Sequence, residues 1–152
     1  MSEITFRHAD RNDIPAIIAM LADDDIGESR ENASAELAPA YERAFEEMNA
    51  CPGNYILLAE ADGQLVGSLQ LVFVPGLSRQ GTKRAIVEAV RVKSAVRGRN
   101  IGTALMKRAI AEAREAGCKL VQLTSDRRRT RAHLFYRRLG FEQSHVGFKR
   151  DL

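Results

Sequence analysis

Apolar and polar residues follow one another along this chain at two periods, and each period predicts a type of element. Strict alternation predicts strands, and apolar residues three and four positions apart predict helices. The expected strands are Thr5–His8, Tyr55–Glu60, Leu65–Val74, Ala85–Lys93, Lys119–Thr124 and a closing strand region at Phe141–Lys149. The expected helices are one that carries Ile14, Ile17, Ile18 and Leu21, then Ser34–Asn49, Ile101–Ala116 and Arg131–Leu139. This order predicts a mixed α/β fold with helices on both faces of a sheet.

Capping residues and glycine turns indicate where these elements begin and end. Asp10 or Asn12 is placed to cap the first helix. Pro39 either lies early in the second helix or splits it. An Asp-Gly pair at positions 62–63 predicts a tight hairpin, and Gly117 is expected to end the third helix.

Length and composition are those of one domain, 1–152, because 152 residues with 45% hydrophobic content can bury a core. The first 13 residues are polar and charged, unlike an export signal, and no apolar run reaches the length of a membrane span. Cys51 and Cys118 form no paired motif, so we expect a cytoplasmic protein with two incidental thiols. The three histidines are too dispersed to suggest metal ligands.

Charge is distributed unevenly over a chain whose net charge is only +3. Residues 1–65 hold 14 acidic and 4 basic residues, whereas residues 66–152 hold 6 acidic and 19 basic ones. Two interpretations are open. The halves attract each other within one domain, or the basic half binds a phosphate-rich cofactor and the acidic half a cationic substrate.

The stretch from Val90 to Leu105 carries the features of a phosphate site. An alternating β-branched run is followed by a turn with two arginines, two glycines and an asparagine, and then by a helix start. A helix N-terminus offers unpaired amides and partial positive charge to an anion. Neither the P-loop pattern nor the dinucleotide fingerprint is present. An ordinary strand–turn–helix joint is the alternative.

Two motifs resemble those of the GNAT family of N-acetyltransferases. Arg97-Gly98-Arg99-Asn100-Ile101-Gly102 is similar to the family's Q/R-x-x-G-x-G/A, with Asn100 where the family usually has glycine. Asparagine is a mild replacement because it tolerates the left-handed conformation. Residues 132–141 resemble the late motif A-x-x-F-Y-x-x-x-G-F. The resemblance covers nearly the whole chain. It implies a mixed, mostly antiparallel central sheet, splayed at the cofactor site, with helices on both faces.

The same resemblance implies acetyl-CoA as cofactor and a set of residues that bind it. These are Val90, Arg91, Val92, Arg97, Gly98, Arg99, Asn100, Ile101, Gly102, Thr103, Arg129, Ala132 and Phe135. Arg129 departs from the family, which often has asparagine three residues before this alanine. The basic run that contains it could meet the cofactor's 3′-phosphate or simply be a salt-bridged surface.

Acetyl transfer to an amine needs a base, an acid and a polarised carbonyl group. A free alkylamine has a pKa of roughly 10.4, so a carboxylate must remove its proton. Glu88 is the candidate base, because strand parity would put it on the same face as Val90 and Val92; pairing with an arginine is the alternative. Tyr136 corresponds to the family's acid for the departing thiolate, although ring packing could also explain a tyrosine there. A backbone N–H of residues 90–92 would hold the carbonyl oxygen.

The acceptor is expected to be an amine of a small molecule or a peptide, with neither nucleic acid nor membrane as partner; a homodimer is an open option. The family builds acceptor sites from variable segments, here residues 23–54 and 75–83. Acidic residues crowd the first of them and either attract a cationic amine or form a solvated face. Two other functions compete with catalysis. One is a non-catalytic acyl-CoA sensor, and the other is a nucleic-acid-binding module that uses the basic half.

Overall fold

In the described part of the chain, five strands form one sheet in the order β1-β2-β3-β4-β5. The computed structural model describes residues 2–24, 26–31 and 38–152. The strands are β1 Thr5–His8, β2 Asn54–Ala61, β3 Gln64–Val74, β4 Arg84–Val92 and β5 Leu120–Leu123. The pairs β1–β2, β2–β3 and β3–β4 are antiparallel. The helices are α1 Ile14–Leu21, α2 Ala38–Ala50, a single turn α3 Ser78–Gly81, α4 Ile101–Glu115 and α5 Thr130–Arg138.

The chain divides into two compact units, residues 1–122 and 123–152, which are described separately below. The expected single domain, 1–152, stays a prediction. Of the helices in the described ranges, none is long and apolar enough to cross a membrane.

Both faces of the sheet in the first unit are covered by helices, as the sequence predicted. Leu57 and Leu58 are successive residues of β2, point to opposite faces, and are both fully buried. On one face, the Ser68 hydroxyl donates to Met20 Sδ of α1 at 3.8 Å. On the other, a Cβ on Gly67 would meet Leu105 of α4 at 3.4 Å. We call these the α1 face and the α4 face.

Local signals in the sequence located most of the element ends. Asp10 accepts a hydrogen bond from the Asn12 amide and completes a capping box before α1. Pro39 lies in the first turn of α2, so it does not split the helix. The part of the expected second helix at residues 34–37 lies outside the described residues. Residues 62 and 63 both have positive φ, at 53° and 71°, and close the predicted hairpin.

The expected closing strand at Phe141–Lys149 is wrong for this structure. In the second unit, α5 ends at Arg138, Gly140 follows with a φ of +90°, and the Phe141 amide donates to the Tyr136 carbonyl. Residues 142–152 belong to no helix or strand and are all exposed. Alternation of apolar side chains is a β-type pattern, but a strand forms only where another strand accepts its hydrogen bonds.

A buried carboxylate connects α4 to the first two strands. Glu112 is only 8% exposed and accepts hydrogen bonds from the Tyr55 hydroxyl and Arg108 Nε, both at 2.8 Å. It also contacts His8 Nε2 at 2.8 Å, and the His8 ring stacks on Tyr55. Burial raises the pKa of Glu112, but these hydrogen bonds and the nearby positive charge outweigh it, so the pKa lies below its ordinary value.

We predict that Glu112→Gln lowers the free energy of unfolding by about 1 kcal/mol at pH 7, because the amide keeps the shape but loses charge-assisted bonds. Urea unfolding would measure the loss. A carboxylate whose pKa is lower in the folded than in the unfolded state stabilises the fold fully at a pH above its unfolded pKa, about 4.3. This stabilisation is lost as the pH falls through the pKa of the folded state. The difference between wild type and variant should therefore shrink in acid. The control is Glu115→Gln, an exposed position on the same helix; an equal loss there would contradict the role of Glu112.

Candidate active site

A β-bulge interrupts the ladder between β3 and β4. Gln70 pairs with Glu88 and Ser68 with Arg91, so Ala89 and Val90 together oppose the one residue Leu69. Ala89 has a φ of +53°, in the left-handed region that residues with a Cβ adopt at a cost. The bulge leaves the backbone of residues 89–90 outside the β3 register.

The bulge also corrects the expected orientation of Glu88. Cross-strand partners project from the same face, so Glu88 and Arg91 share the α1 face with Gln70 and Ser68. Val92 pairs with Gly67 and therefore belongs to the α4 face. The prediction that Glu88 shares a face with Val92 is wrong, because one extra residue inverts the parity of the strand beyond it.

Glu88 is an exposed carboxylate at the level of the bulge. Over residues 2–24, 26–31 and 38–152, it takes part in no hydrogen bond or ion pair, so the expected alternative of an arginine partner is not seen. Its cross-strand neighbour Gln70 is held by a hydrogen bond from its Nε2 to Asn54 Oδ1 at 2.8 Å. The Glu88 carboxylate is therefore accessible to a ligand.

An apolar groove lies between α1, α2 and the sheet, next to Glu88. Its volume is about 170 Å³. The lining residues are Ile14, Ile17, Ile18, Leu21, Tyr41, Ala44, Phe45, Met48, Ile56, Ser68, Leu69, Gln70 and Ala89. Two of them, Gln70 and Ala89, are the cross-strand partner and the chain neighbour of Glu88. The groove can therefore hold an apolar group close to a carboxylate.

The turn before α4 has the conformation that its residue types predicted. Gly98 and Asn100 both have positive φ, at 81° and 62°. Asn100 is the N-cap of α4 but makes no side-chain capping bond, so the first amides of the helix are not satisfied by it. A Cβ on Gly98 would meet nothing within 4 Å. Arg99 and Arg97 are exposed beside this open backbone. These donors and charges fit the pyrophosphate of acetyl-CoA.

Two aspartates after α1 bind the strand and turn that lead to this helix. Asp23 Oδ2 accepts from the Ser94 amide at 2.9 Å, and the Asp23 carbonyl accepts from Arg97 Nη2 at 2.8 Å. The Ser94 hydrogen bonds, above all that of its amide, hold the pKa of Asp23 below its ordinary value. Asp24 forms an ion pair with Arg91 at 3.5 Å. These contacts favour the interpretation that the acidic and basic halves attract each other.

Other acidic residues of the same stretch also have partners or lie outside the described part. Glu42 pairs with Arg11, and Glu31 accepts from the Tyr41 hydroxyl at 2.7 Å. Asp25 and Glu36 fall outside the described residues. The acidic stretch is therefore not a uniform free rim.

The second unit gathers the aromatic residues of the late motif. The Tyr136 ring lies 5.1 Å from that of Phe135 and 6.0 Å, edge to face, from that of Phe141. Ala132 and Tyr136 are half-buried on α5, and Arg129 precedes the helix as its N-cap. The Arg129 amide donates to the Asp126 carbonyl. Arg128 pairs with Asp126 at 2.7 Å, so part of the basic run is neutralised locally.

Sequence reasoning missed the partners of Asp23 and Asp24 and the bulge residue Ala89. The bulge had a signal. Apolar residues occupy odd positions at Ala85 and Val87 and even positions at Val90 and Val92. Such a change of parity within one strand is what an extra residue produces. The aspartates had no such signal, because their partners are about 70 positions away.

Comparison with known proteins identifies the family. Residues 19–141 match the acetyltransferase (GNAT) family. The chain is 32% identical to an aminoalkylphosphonate N-acetyltransferase of Salmonella typhimurium (strain LT2), over 96% of this chain and 90% of the relative. A transcriptional regulator from Bacillus halodurans C-125 has a similar structure, with a TM-score of 0.94, 42% identity and coverage of 99% of this chain and 100% of that one. A structure from Agrobacterium tumefaciens str. C58, assigned as an acetyltransferase, has a TM-score of 0.85 and 28% identity. The match covers 97% of this chain and 99% of that one.

The chain therefore belongs to the acetyltransferase (GNAT) family. It is an N-acetyltransferase that moves an acetyl group from acetyl-CoA to an amine. The expected fold class, with a mixed and mostly antiparallel sheet and helices on both faces, is confirmed.

The bulge can be tested by substitution at its strained residue. We predict that Ala89→Val lowers the free energy of unfolding by about 1–2 kcal/mol, because a β-branched side chain resists positive φ. Ala89→Gly should stay within about 0.5 kcal/mol of wild type, because relief of strain offsets the greater entropy of the unfolded chain. The control is Ala61→Val in β2, where φ is not positive. Equal stability of the two valine variants in denaturant unfolding would contradict this conformation.

Proposed function

We propose that the acceptor is a small primary amine with an apolar body, which occupies the groove between α1 and α2 while its amino group meets Glu88. The observation that carries this proposal is an unpaired carboxylate whose cross-strand partner, Gln70, and chain neighbour, Ala89, both line an apolar groove. In the proposal, Glu88 removes the proton of the ammonium group, and Tyr136 returns a proton to the thiolate. The role of Tyr136 rests on its place in the family motif.

Acetyl-CoA supplies the activated carbonyl, and the chain's residues handle charge and protons. The amine nitrogen forms a bond to the carbonyl carbon as the carbon–sulfur bond breaks. The backbone freed by the bulge at residues 89–90 is suited to donate to the carbonyl oxygen. In the proposal, the segments 90–92 and 97–103, with Arg129, Ala132 and Phe135, bind the cofactor. Metal ions have no assigned part.

The size and lining of the groove support a small apolar body. A volume of about 170 Å³ lies below the roughly 300–1,000 Å³ of sites for drug-sized ligands. Polar side chains of the lining already have partners. Ser68 donates to Met20, Gln70 to Asn54, and Tyr41 to Glu31. A second charge on the acceptor would therefore enter the groove without compensation, at a high cost.

The Salmonella relative provides a second candidate, an aminoalkylphosphonate acceptor. One observation favours it. Arg91 lies on the same face of β4 as Glu88 and could face an anionic group. Against it, Arg91 is paired with Asp24 at 3.5 Å, so a phosphonate would have to displace a carboxylate.

We further propose that the enzyme acts in the cytoplasm. Neither Cys51 nor Cys118 is in a disulfide, which suits a reducing compartment. Fractionation of cells that produce the chain would test this location.

We predict that n-butylamine has a kcat/KM at least about 10-fold above that of 1,4-diaminobutane and of 2-aminoethylphosphonate. The reason is that the other two compounds would carry a second charged group into the apolar groove. Release of the coenzyme A thiol would be the readout, at low and high salt. The diamine differs from butylamine only by its far amino group. Filling the groove with Ala44→Leu should raise the KM for butylamine, whereas Ala50→Leu, at the end of α2 and outside the groove, should not.

Each other outcome identifies a different site. A diamine that reacts best, with an advantage that salt erodes, would mean that the acidic stretch selects the acceptor. A phosphonate that reacts best would mean that Arg91 recognises it. No turnover with any amine, while acetyl-CoA still raises the melting temperature, would point to the acyl-CoA sensor.

We predict that Tyr136→Phe lowers turnover by about 10²-fold or more, because it keeps the ring and removes the acidic proton. The variant should still bind acetyl-CoA, which is measured by the rise in melting temperature when acetyl-CoA is added. The matched control is Tyr55→Phe, which removes a hydroxyl that bonds to Glu112 and should change stability but not turnover. Wild-type turnover by the Tyr136 variant would show that the thiolate leaves without this acid.

A further inference from the structure

The groove between α1 and α2 contains a buried hydroxyl group. Ser68 belongs to its lining and is only 2% exposed. Within the described residues, this hydroxyl makes one hydrogen bond, to Met20 Sδ at 3.8 Å. A thioether sulfur is a weak acceptor, and the serine oxygen can also accept a hydrogen bond itself. The hydrogen-bonding capacity of the buried Ser68 hydroxyl is therefore only partly used.

Ser68 lies at a defined distance along the sheet from Glu88. Ser68 and Gln70 are two positions apart on β3, so both project from the α1 face and their Cα atoms are roughly 6.6 Å apart. Gln70 is the cross-strand partner of Glu88 and lines the same groove. An acceptor whose amino group meets Glu88 and whose body follows the groove therefore brings its far end to Ser68.

The surroundings of Ser68 favour a neutral group at this far end. The cross-strand partner of Ser68 is Arg91, but Arg91 is not part of the groove lining and is paired with Asp24 at 3.5 Å. An ionic group would be buried here without compensation, at a high cost. A hydroxyl group carries no charge and both donates and accepts, so it complements the unused capacity of Ser68.

We propose that the acceptor is an amino alcohol with about four carbons between its nitrogen and its oxygen, and that Ser68 recognises the hydroxyl group. With bonds of about 1.5 Å, a chain of four carbons separates the two atoms by roughly 6 Å, close to the distance between Ser68 and Gln70. This inference rests on the proposed function, because it places the amino group at Glu88. Ser68 determines specificity and takes no part in proton transfer.

The first test compares 4-aminobutan-1-ol with n-pentylamine as acceptors of the wild-type enzyme. The two molecules have the same length and differ only in a terminal hydroxyl or methyl group, and both are alkylamines with a pKa of roughly 10.4. A purely apolar groove would favour pentylamine. We expect instead a kcat/KM about 5-fold higher for the alcohol, because Ser68 forms a hydrogen bond with it.

The second test measures the same ratio of kcat/KM values in variants. Ser68→Ala should lower the ratio of alcohol to pentylamine at least about 10-fold, because the hydroxyl of the alcohol loses its partner in the groove. A merely structural effect would change both amines alike and leave the ratio unaltered. Met20→Leu removes the sulfur partner of Ser68 and keeps its hydroxyl, so the preference for the alcohol should persist. The matched control, Ser144→Ala, removes an exposed serine hydroxyl and should not change the ratio.

The outcomes separate this inference from the function on which it rests. If pentylamine is acetylated as well as the alcohol or better, the role of Ser68 is overturned and the apolar acceptor stands. A preference for the alcohol that survives Ser68→Ala would also overturn the inference. If 4-aminobutanoate reacts better than the alcohol, an anionic far end is recognised and the inference fails. If none of these amines is acetylated, the proposed function fails with it.

Discussion

The extra residue in β4 determines where the chemistry-bearing groups of the first unit lie. With the bulge at Ala89, Glu88 and Arg91 project from the α1 face, next to the groove, although they are three positions apart. A regular strand would have sent one of the two to the α4 face. The same bulge frees the backbone at residues 89–90 from pairing with β3. The positive φ of Ala89 is the strain that accompanies this arrangement.

The charge asymmetry of the chain acts largely within the fold. Asp23 accepts a hydrogen bond from the Ser94 amide, and its carbonyl accepts one from Arg97, just before the turn that precedes α4. Asp24 pairs with Arg91 on β4. Acidic residues after α1 thus orient basic residues that come some 70 positions later, so the loop after α1 and the turn before α4 are positioned together. A net charge per segment cannot distinguish such pairing from a charged binding surface, because both need the same residues.

Local signals made much of the fold predictable. Asn100 and Gly98 are residue types that tolerate the left-handed conformation, and both adopt it. Helix α4 and the hairpin at residues 62–63 also follow from capping and turn chemistry that act within a few residues. The orientation of Glu88 was wrong, since a bulge depends on how two strands align. The partners of Asp23 and Asp24 could not be predicted because they depend on the tertiary fold.

The C-terminal segment, residues 142–152, shows a further limit of pattern reasoning. The positions of Val146, Phe148 and Leu152 indicate only which side chains would share one face if a strand formed. They carry no information on which edge receives the strand, since backbone hydrogen bonds are the same for every sequence. A helix satisfies its own backbone, so the pattern of α4 is sufficient to predict it. A strand depends on a partner that can be distant in the chain or belong to another molecule. Its pattern therefore predicts only that a strand can form, and the available sheet edge decides whether it does.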